Sequence, residues 1–169
     1  SLLGIDFYKK VVRLQEKYKG NKTIENSFQT NGTLLNDEWC RFFADNKFLV
    51  GVSIDGPQWL HDKYRRYKNG KGSFRDVMRA IELLKKHRAE FNTLTVVNDY
   101  NGKYPRDVYR FLKSIESKFI QFIPIVEQSA EPEEDTPVEL ISPDFQGKAE
   151  VTEWSVNPLQ YRKFLATIF

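Results

Sequence analysis

The sequence predicts an α/β fold of about four parallel strands with flanking helices. Three observations predict it. An amphipathic helical stripe followed by a short strand-like run recurs four times, with short links. Phe48 to Ile54 is a nearly unbroken apolar run, the mark of a strand covered on both faces. No longer-period self-similarity breaks this alternation. Repeats of this kind build a parallel sheet with right-handed crossovers. The chain of 169 residues is one ordinary domain's worth, and at 40% hydrophobic and 14% aromatic it can bury a real core. The same composition excludes a disordered tail, a collagen-like chain and a low-complexity polymer.

The elements run in order along the chain. Asp6 to Lys19 reads as a helix, because Phe7, Val11, Leu14 and Tyr18 fall on one stripe. Ile24 to Thr30 reads as a strand, with Ile24 and Phe28 on one face. Asn36 can cap a short helix to about Asn46 that turns Trp39, Phe42 and Phe43 inward. The apolar strand Phe48–Ile54 comes next. Ser73 with Asp76 resembles a capping box with aspartate at the third position, and the helix after it aligns Phe74, Val77, Met78, Ile81 and Leu84. Phe91 to Val97 is the third strand. Pro105 starts a helix with Val108, Phe111, Leu112 and Ile115 inward, and Phe119 to Ile123 is the fourth strand.

The stretch from Glu127 to Val156 lacks a clear period and carries Glu131, Glu133, Glu134 and Asp135 among several prolines. It reads as a long, partly mobile loop whose acidic run is a solvated face. Asn157-Pro158 opens a last helix through Tyr161, Phe164, Leu165 and Ile168. That helix stops on apolar Phe169 with no C-cap signal, and the chain opens directly on an amphipathic helix. Both ends lead us to expect a piece of a longer protein.

Charge and cysteine content narrow the partners. A formal net charge of +3 does not argue for nucleic acid. No apolar run approaches the roughly 18 residues of a membrane span, and the start lacks the pattern of a signal peptide. A single cysteine, Cys40, excludes a disulfide framework and any all-cysteine metal site within the chain, and points to a reducing cytoplasm.

In parallel α/β folds ligands gather at the carboxyl ends of the strands. Here those ends read Gln29-Thr30-Asn31-Gly32, Ser53-Ile54-Asp55-Gly56-Pro57, Asn98-Asp99 and Val126-Glu127-Gln128. Hydroxyl, amide and carboxylate groups therefore converge on one rim. It suits a ligand with ribose hydroxyls, an amide edge or a peptide backbone, although turns alone also demand Asn, Asp and Gly. The segment after Pro57 adds Lys63, Arg65, Arg66, Lys68 and Lys71. It is either a basic surface loop or the source of a guanidinium that grips a carboxylate in two parallel contacts. His61 and His87 lie apart, on a loop and near a helix end, with no metal-ligand partner at useful spacing. Cys40, beside Trp39 on a helix, reads as a small buried hydrophobe. No Ser-His-Asp arrangement and no phosphate loop is legible.

Two long runs carry a resemblance. Asn26-Ser27-Phe28-Gln29-Thr30-Asn31-Gly32-Thr33-Leu34-Leu35 and Phe48-Leu49-Val50-Gly51-Val52-Ser53-Ile54-Asp55-Gly56-Pro57 are similar to signatures of the anaerobic sulfatase-maturating enzymes, also described as arylsulfatase regulators. These are radical S-adenosylmethionine enzymes. The resemblance extends from Ser1 to about Glu127 and fades in the acidic loop.

The resemblance implies the middle of a partial (β/α)6 TIM-like barrel over residues 1–126. Residues 127–169 would be an acidic loop and a helix leading toward a C-terminal auxiliary iron-sulfur domain. The family's CxxxCxxC motif, which holds a [4Fe-4S] cluster, and its GGEP motif are not in this sequence; Ser1-Leu2-Leu3-Gly4 resembles the residues just after GGEP in the family. The implied activity of the intact relative is oxidation of a Cys or Ser of a sulfatase to Cα-formylglycine through a 5′-deoxyadenosyl radical, with the fragment alone inactive. S-adenosylmethionine is the implied cofactor, a sulfatase polypeptide the substrate, and a flavodoxin or ferredoxin the electron donor. Ser53 matches the serine that bonds the cofactor's ribose, Arg65 the arginine that holds its methionyl carboxylate, and Val126 an apolar position near the adenine. Gln29, Asn31 and Asp55 are rim candidates of lower rank, and no metal ligand or catalytic base is carried over. Another peptide-modifying radical enzyme with an auxiliary-cluster domain, or a non-catalytic sulfatase-binding regulatory protein, remains as an alternative. An unpaired sheet edge would invite association or insolubility.

Overall fold

A computed structural model describes residues 3–130, 140–142 and 144–169. The elements are α1 (Gly4–Tyr18), β1 (Ser27–Thr30), α2 (Asp37–Asp45), β2 (Leu49–Ser53), α3 (Gln58–Tyr64), α4 (Phe74–Lys86), β3 (Phe91–Val97), α5 (Pro105–Ser114), β4 (Ile120–Pro124), β5 (Gln128–Ala130), β6 (Ala149–Val151) and α6 (Pro158–Ile168). The expected α/β architecture is present: four parallel strands form one sheet in the order β1-β2-β3-β4, with the helices flanking it.

The sheet's two faces differ in kind. Phe28 of β1 lies beside Val50 of β2, and Val50 and Val52 are wholly buried beneath the helices. Against them pack Trp39 and Phe43 from α2 and Val77, Ile81 and Leu84 from α4. The Phe28 and Phe43 rings stand 4.9 Å apart and the Trp39 and Phe43 rings 5.5 Å apart, so an aromatic cluster joins α2 to the sheet. Val108 and Leu112 of α5 extend this core, and Phe164 of α6 meets Phe122 of β4 edge to face at 5.1 Å. The opposite face carries Gln29, Gly51, Ser53, Asn92 and Leu94. A Cβ built on Gly51 would stand 2.6 Å from Leu94 Cδ1, 3.2 Å from Asn92 Oδ1 and 3.9 Å from Gln29 Cγ, which places these side chains on one surface. The apolar run of β2 is thus covered by helices on one side only. Its other face carries Leu49 at one end and Gly51 and Ser53 toward the carboxyl end.

Local side-chain bonds cap two of the helices and fasten a third. Asn36 Oδ1 accepts from the Trp39 amide at 3.0 Å and starts α2, and Asn157 starts α6 in the same way. Gln15 and Asn26 exchange amide hydrogen bonds of 2.8 and 3.0 Å, fastening α1 to the approach to β1. The capping box expected at Ser73 does not form. Ser73 adopts φ −97° and ψ −4°, and its hydroxyl turns away from α4 toward His61 and the Arg65 carbonyl. The Asp76 amide, which the cap would have served, donates to the Ser73 carbonyl at 3.1 Å, and the Phe74 amide donates to Asp62 Oδ1 at 2.9 Å.

Two further expectations are corrected. Residues 58–64, read as part of a basic loop, form the short helix α3, with Leu60 and His61 buried. Seven residues give too few turns to show a period. The segment after Glu127 is not structureless: β5 and β6 pair antiparallel, and residues 152–156 return across the ends of β3 and β4. The acidic residues Glu131, Glu133, Glu134 and Asp135 lie outside the described residues. Among the described residues, no helix is long and apolar enough to cross a membrane.

Candidate functional site

The candidate site is the carboxyl rim of β1 to β4. Its centre is the turn after β2. Gly56 has φ +124°, a conformation that side-chain-bearing residues rarely adopt, and it swings the chain from β2 into α3. Just before it, Asp55 is 3% exposed and meets four partners. Its carboxylate accepts from Arg65 Nε at 2.5 Å, from Arg65 Nη2 at 3.2 Å and from the Val96 amide at 2.9 Å. Its own amide donates to His61 Nδ1 at 3.2 Å, and its carbonyl accepts from Asn101 Nδ2 at 3.2 Å. The expected two-contact grip of a guanidinium on a carboxylate therefore exists, and the carboxylate is this chain's own.

Arg65 is gripped along its Nε–Nη2 side. The edge formed by Nη1 and the remaining Nη2 proton is not used by Asp55, and the side chain is 27% exposed. A guanidinium fork can hold two carboxylates, one on each edge. Asp55 thus fixes the plane of Arg65 and leaves the other edge available to a second anion.

Ser53 lies two residues before Asp55, beside Leu94 on the sheet's other face. Its hydroxyl has no hydrogen-bond partner among the described residues, and the residue is half-buried. Gln29, beside Gly51 on the same face, likewise leaves its amide unpaired among the described residues. Asn92 Oδ1 is buried there with no partner among them. A buried orphan acceptor is costly, so this face is not self-satisfied. Asn31 differs: its Oδ1 accepts from the Thr33 amide at 3.3 Å and the Thr33 hydroxyl at 3.0 Å, bracing its own turn.

Val126 is 62% exposed at the end of β4. The residues on both sides have their backbone groups engaged. Ile125 bonds to Val97 and Val156, each at 3.0 Å, and Glu127 bonds to Ser155 Oγ at 2.8 Å and to the Thr152 amide at 3.0 Å. The Val126 amide and carbonyl alone have no partner among the described residues, and the strand's alternation turns them away from β3.

Two residues that organise this rim are not legible in the sequence pattern. Asn101 donates from Nδ2 to the carbonyls of Asp55 and Val96, at 3.2 and 2.8 Å, and ties the ends of β2 and β3 together. The Asn98-x-x-Asn101 spacing was the available signal, since Asn98 Oδ1 accepts from the Asn101 amide and Asn101 Oδ1 from the Asn98 amide. His61 is wholly buried, and desolvation lowers its pKa from 6.5 to about 4. The nearby Asp55 and Asp62 charges oppose that shift and Arg65 adds to it. The sequence places it on a loop, and Pro57, the residue just before α3, was the one available signal for a helix there.

The remaining candidates have structural roles. His87 Nε2 meets Asp37 Oδ1 at 2.8 Å, and Lys86 meets the same oxygen at 2.6 Å; these bonds hold Asp37 down to about 2. Cys40 is wholly buried, and burial pushes its thiol up to about 11.

Comparison with known proteins gives a consistent result. The chain is 50% identical over 165 residues to the serine-type anaerobic sulfatase-maturating enzyme of Bacteroides thetaiotaomicron, covering 98% of this chain and 39% of that protein. It is 38% identical over 170 residues to the cysteine-type enzyme of Clostridium novyi, covering 100% of this chain and 41% of that protein. The chain thus spans about two fifths of the length of these curated relatives. Among solved structures it resembles native anSMEcpe with bound AdoMet, with a TM-score of 0.82 and 38% identity over 99% of this chain and 42% of that one. It also resembles native anSMEcpe with bound AdoMet and Cp18Cys peptide, with a TM-score of 0.83 and 38% identity over 99% of this chain and 43% of that one. The sequence profile of the Radical SAM superfamily matches residues 1–112, and the chain belongs to that superfamily.

Proposed function

We propose that the chain is the middle of the core barrel of an anaerobic sulfatase-maturating enzyme, which oxidises a Cys or Ser of a sulfatase polypeptide to Cα-formylglycine. The carrying observation is the state of the rim. Ser53 presents an unpaired hydroxyl, and Arg65, fixed on Asp55, keeps one guanidinium edge unused by that pair. The names of the relatives and the AdoMet and peptide bound in the anSMEcpe structures support the same reading.

The residues fit S-adenosylmethionine. Ser53 would bond the ribose, the unused edge of Arg65 the methionyl carboxylate, and the Val126 amide and carbonyl the adenine edge. Gln29 would line the sheet's other face beneath them. Bound together with a [4Fe-4S] cluster, this cofactor supplies hydrogen-abstracting radical chemistry. We place the cluster ligands outside this chain, whose single thiol is buried in the helical layer. Asp55 keeps the Arg65 plane fixed before any ligand arrives, which lowers the ordering cost of binding.

The test uses the full-length, cluster-loaded protein with a sulfatase-derived peptide carrying Cys or Ser, read by mass spectrometry. Serine conversion removes two hydrogens. Cysteine conversion also replaces sulfur with oxygen. A modified peptide that carries any other change assigns the protein to a different radical chemistry. In the same protein, Ser53→Ala and Arg65→Ala should each weaken cofactor binding about tenfold, as loss of one hydrogen bond or charge contact does. Unchanged affinity in both removes the site assignment. The chain by itself should not convert the peptide.

A further inference from the structure

We infer that His61 is a positioning residue for the ligand carboxylate, acting through Asp55 and Arg65 without touching the ligand; this rests on the proposed role of the rim. The geometry is a closed relay. The Asp55 amide donates to His61 Nδ1 at 3.2 Å, so Nδ1 must be an unprotonated acceptor. The other ring nitrogen lies 3.0 Å from Ser73 Oγ, and that hydroxyl donates to the Arg65 carbonyl at 3.0 Å. Since the Ser73 proton is committed to Arg65, Nε2 must carry the ring's proton. One tautomer alone, neutral with hydrogen on Nε2, satisfies every group in the relay, and the suppressed basicity of this buried ring keeps it there.

The ring bridges three segments, alongside the Arg65–Asp55 pair and the bond from the Phe74 amide to Asp62. It sits on α3, and it reaches the strand end at Asp55 on one side and the α3–α4 loop at Ser73 on the other. Arg65 is consequently held at both ends. Its guanidinium is gripped by Asp55, and its carbonyl accepts from the amide of Ser73 at 3.1 Å and from that residue's hydroxyl at 3.0 Å. Asp55 in turn spans to β3 through the Val96 amide. A ring wholly buried beside Phe74, 5.9 Å between centroids, has little room to tilt. His61 therefore sets the distance between the backbone of Asp55 and the backbone of Arg65, and with it the direction of the free guanidinium edge.

The experiment measures equilibrium binding of S-adenosylmethionine and of 5′-methylthioadenosine, which lacks the carboxylate, to full-length cluster-loaded protein. Wild type is compared with H61F, H61N and H61Q, each also followed by melting temperature and cluster absorbance. Asn can offer an oxygen where Nδ1 stood, whereas Gln reaches toward Ser73 and withdraws the acceptor from Asp55. H61F should bind S-adenosylmethionine at least tenfold more weakly, H61Q about fivefold more weakly and H61N within threefold of wild type. Methylthioadenosine should change less than threefold in all three. Should H61F not fold, the H61N and H61Q pair decides. Equal affinities in wild type, H61N and H61Q overturn the inference, as does an equal loss of both ligands. Failure of the wild-type protein to bind S-adenosylmethionine instead overturns the functional reading itself, and the inference with it.

Discussion

Replacing Asp55 with alanine tests the rim most directly. The carboxylate is 4% exposed and its partner Arg65 27% exposed, so the pair is largely withdrawn from water. Breaking a buried pair from one side costs about 3–5 kcal/mol, because a charge is left uncompensated. The partial exposure of Arg65 lets water recover some of this, which lowers the term to about 2 kcal/mol. The Val96 amide also loses its acceptor, at about 1–2 kcal/mol for an unsatisfied buried donor. We predict a total destabilisation of about 3–4 kcal/mol for Asp55→Ala. Asp55→Asn should cost about 2 kcal/mol, since one amide oxygen can still serve Val96 while Arg65 loses its charge partner. Urea unfolding of the full-length protein, followed by far-ultraviolet circular dichroism, measures both. A double-mutant cycle with Arg65→Ala should return a coupling of about 2 kcal/mol. A coupling below about 0.5 kcal/mol would put the pair among solvent-screened surface contacts and refute the claim that Asp55 fixes the arginine.

Three more outcomes are expected. His61 titrates at about 4 in the fold against 6.5 unfolded, so the unfolded chain binds more protons between those values. Its contribution, about 3 kcal/mol at most, is fully present above pH 6.5 and is lost as pH falls toward 4. Urea midpoints across that range should drop in wild type and flatten in His61→Asn; parallel profiles would contradict the buried neutral ring. Gly51→Ala should destabilise by about 1–3 kcal/mol, because its Cβ would stand 2.6 Å from Leu94 Cδ1 and force that side chain off its place on the shared face. Cofactor affinity should fall with it, and a variant of unchanged stability and affinity would show that this face has slack. Cys40 should resist alkylation at pH 8 in the native protein and react once urea is added, because its thiol is buried and raised to about 11. Rapid labelling without denaturant would show that α2 opens readily.

Most elements, and the location of the rim, were legible in the amino-acid order alone. Amphipathic stripes marked α1, α2, α4 and α5, since one apolar face per helix must be covered. A nearly unbroken apolar run marked β2, a run holding Thr93, Thr95, Val96 and Val97 marked β3, and parallel order came from the helix between each pair of strands. The carboxyl-end residues Ser53, Asp55 and Gln29 were legible because a parallel sheet gathers such ends by rule. Ser53 and Asp55 are two residues apart at the end of β2, yet only the folded chain separates their roles. One hydroxyl is left unpaired, while one carboxylate is consumed by Arg65 and Val96. Partners that distant in sequence have no local signature. The same holds for His61, whose helix is too short to announce itself, and for Ser73, whose capping pattern was overruled by a buried ring with a stronger need for an acceptor. Local propensity acts within a few residues. Desolvation of a buried polar group is a property of the assembled core, and it decides where each hydrogen bond goes.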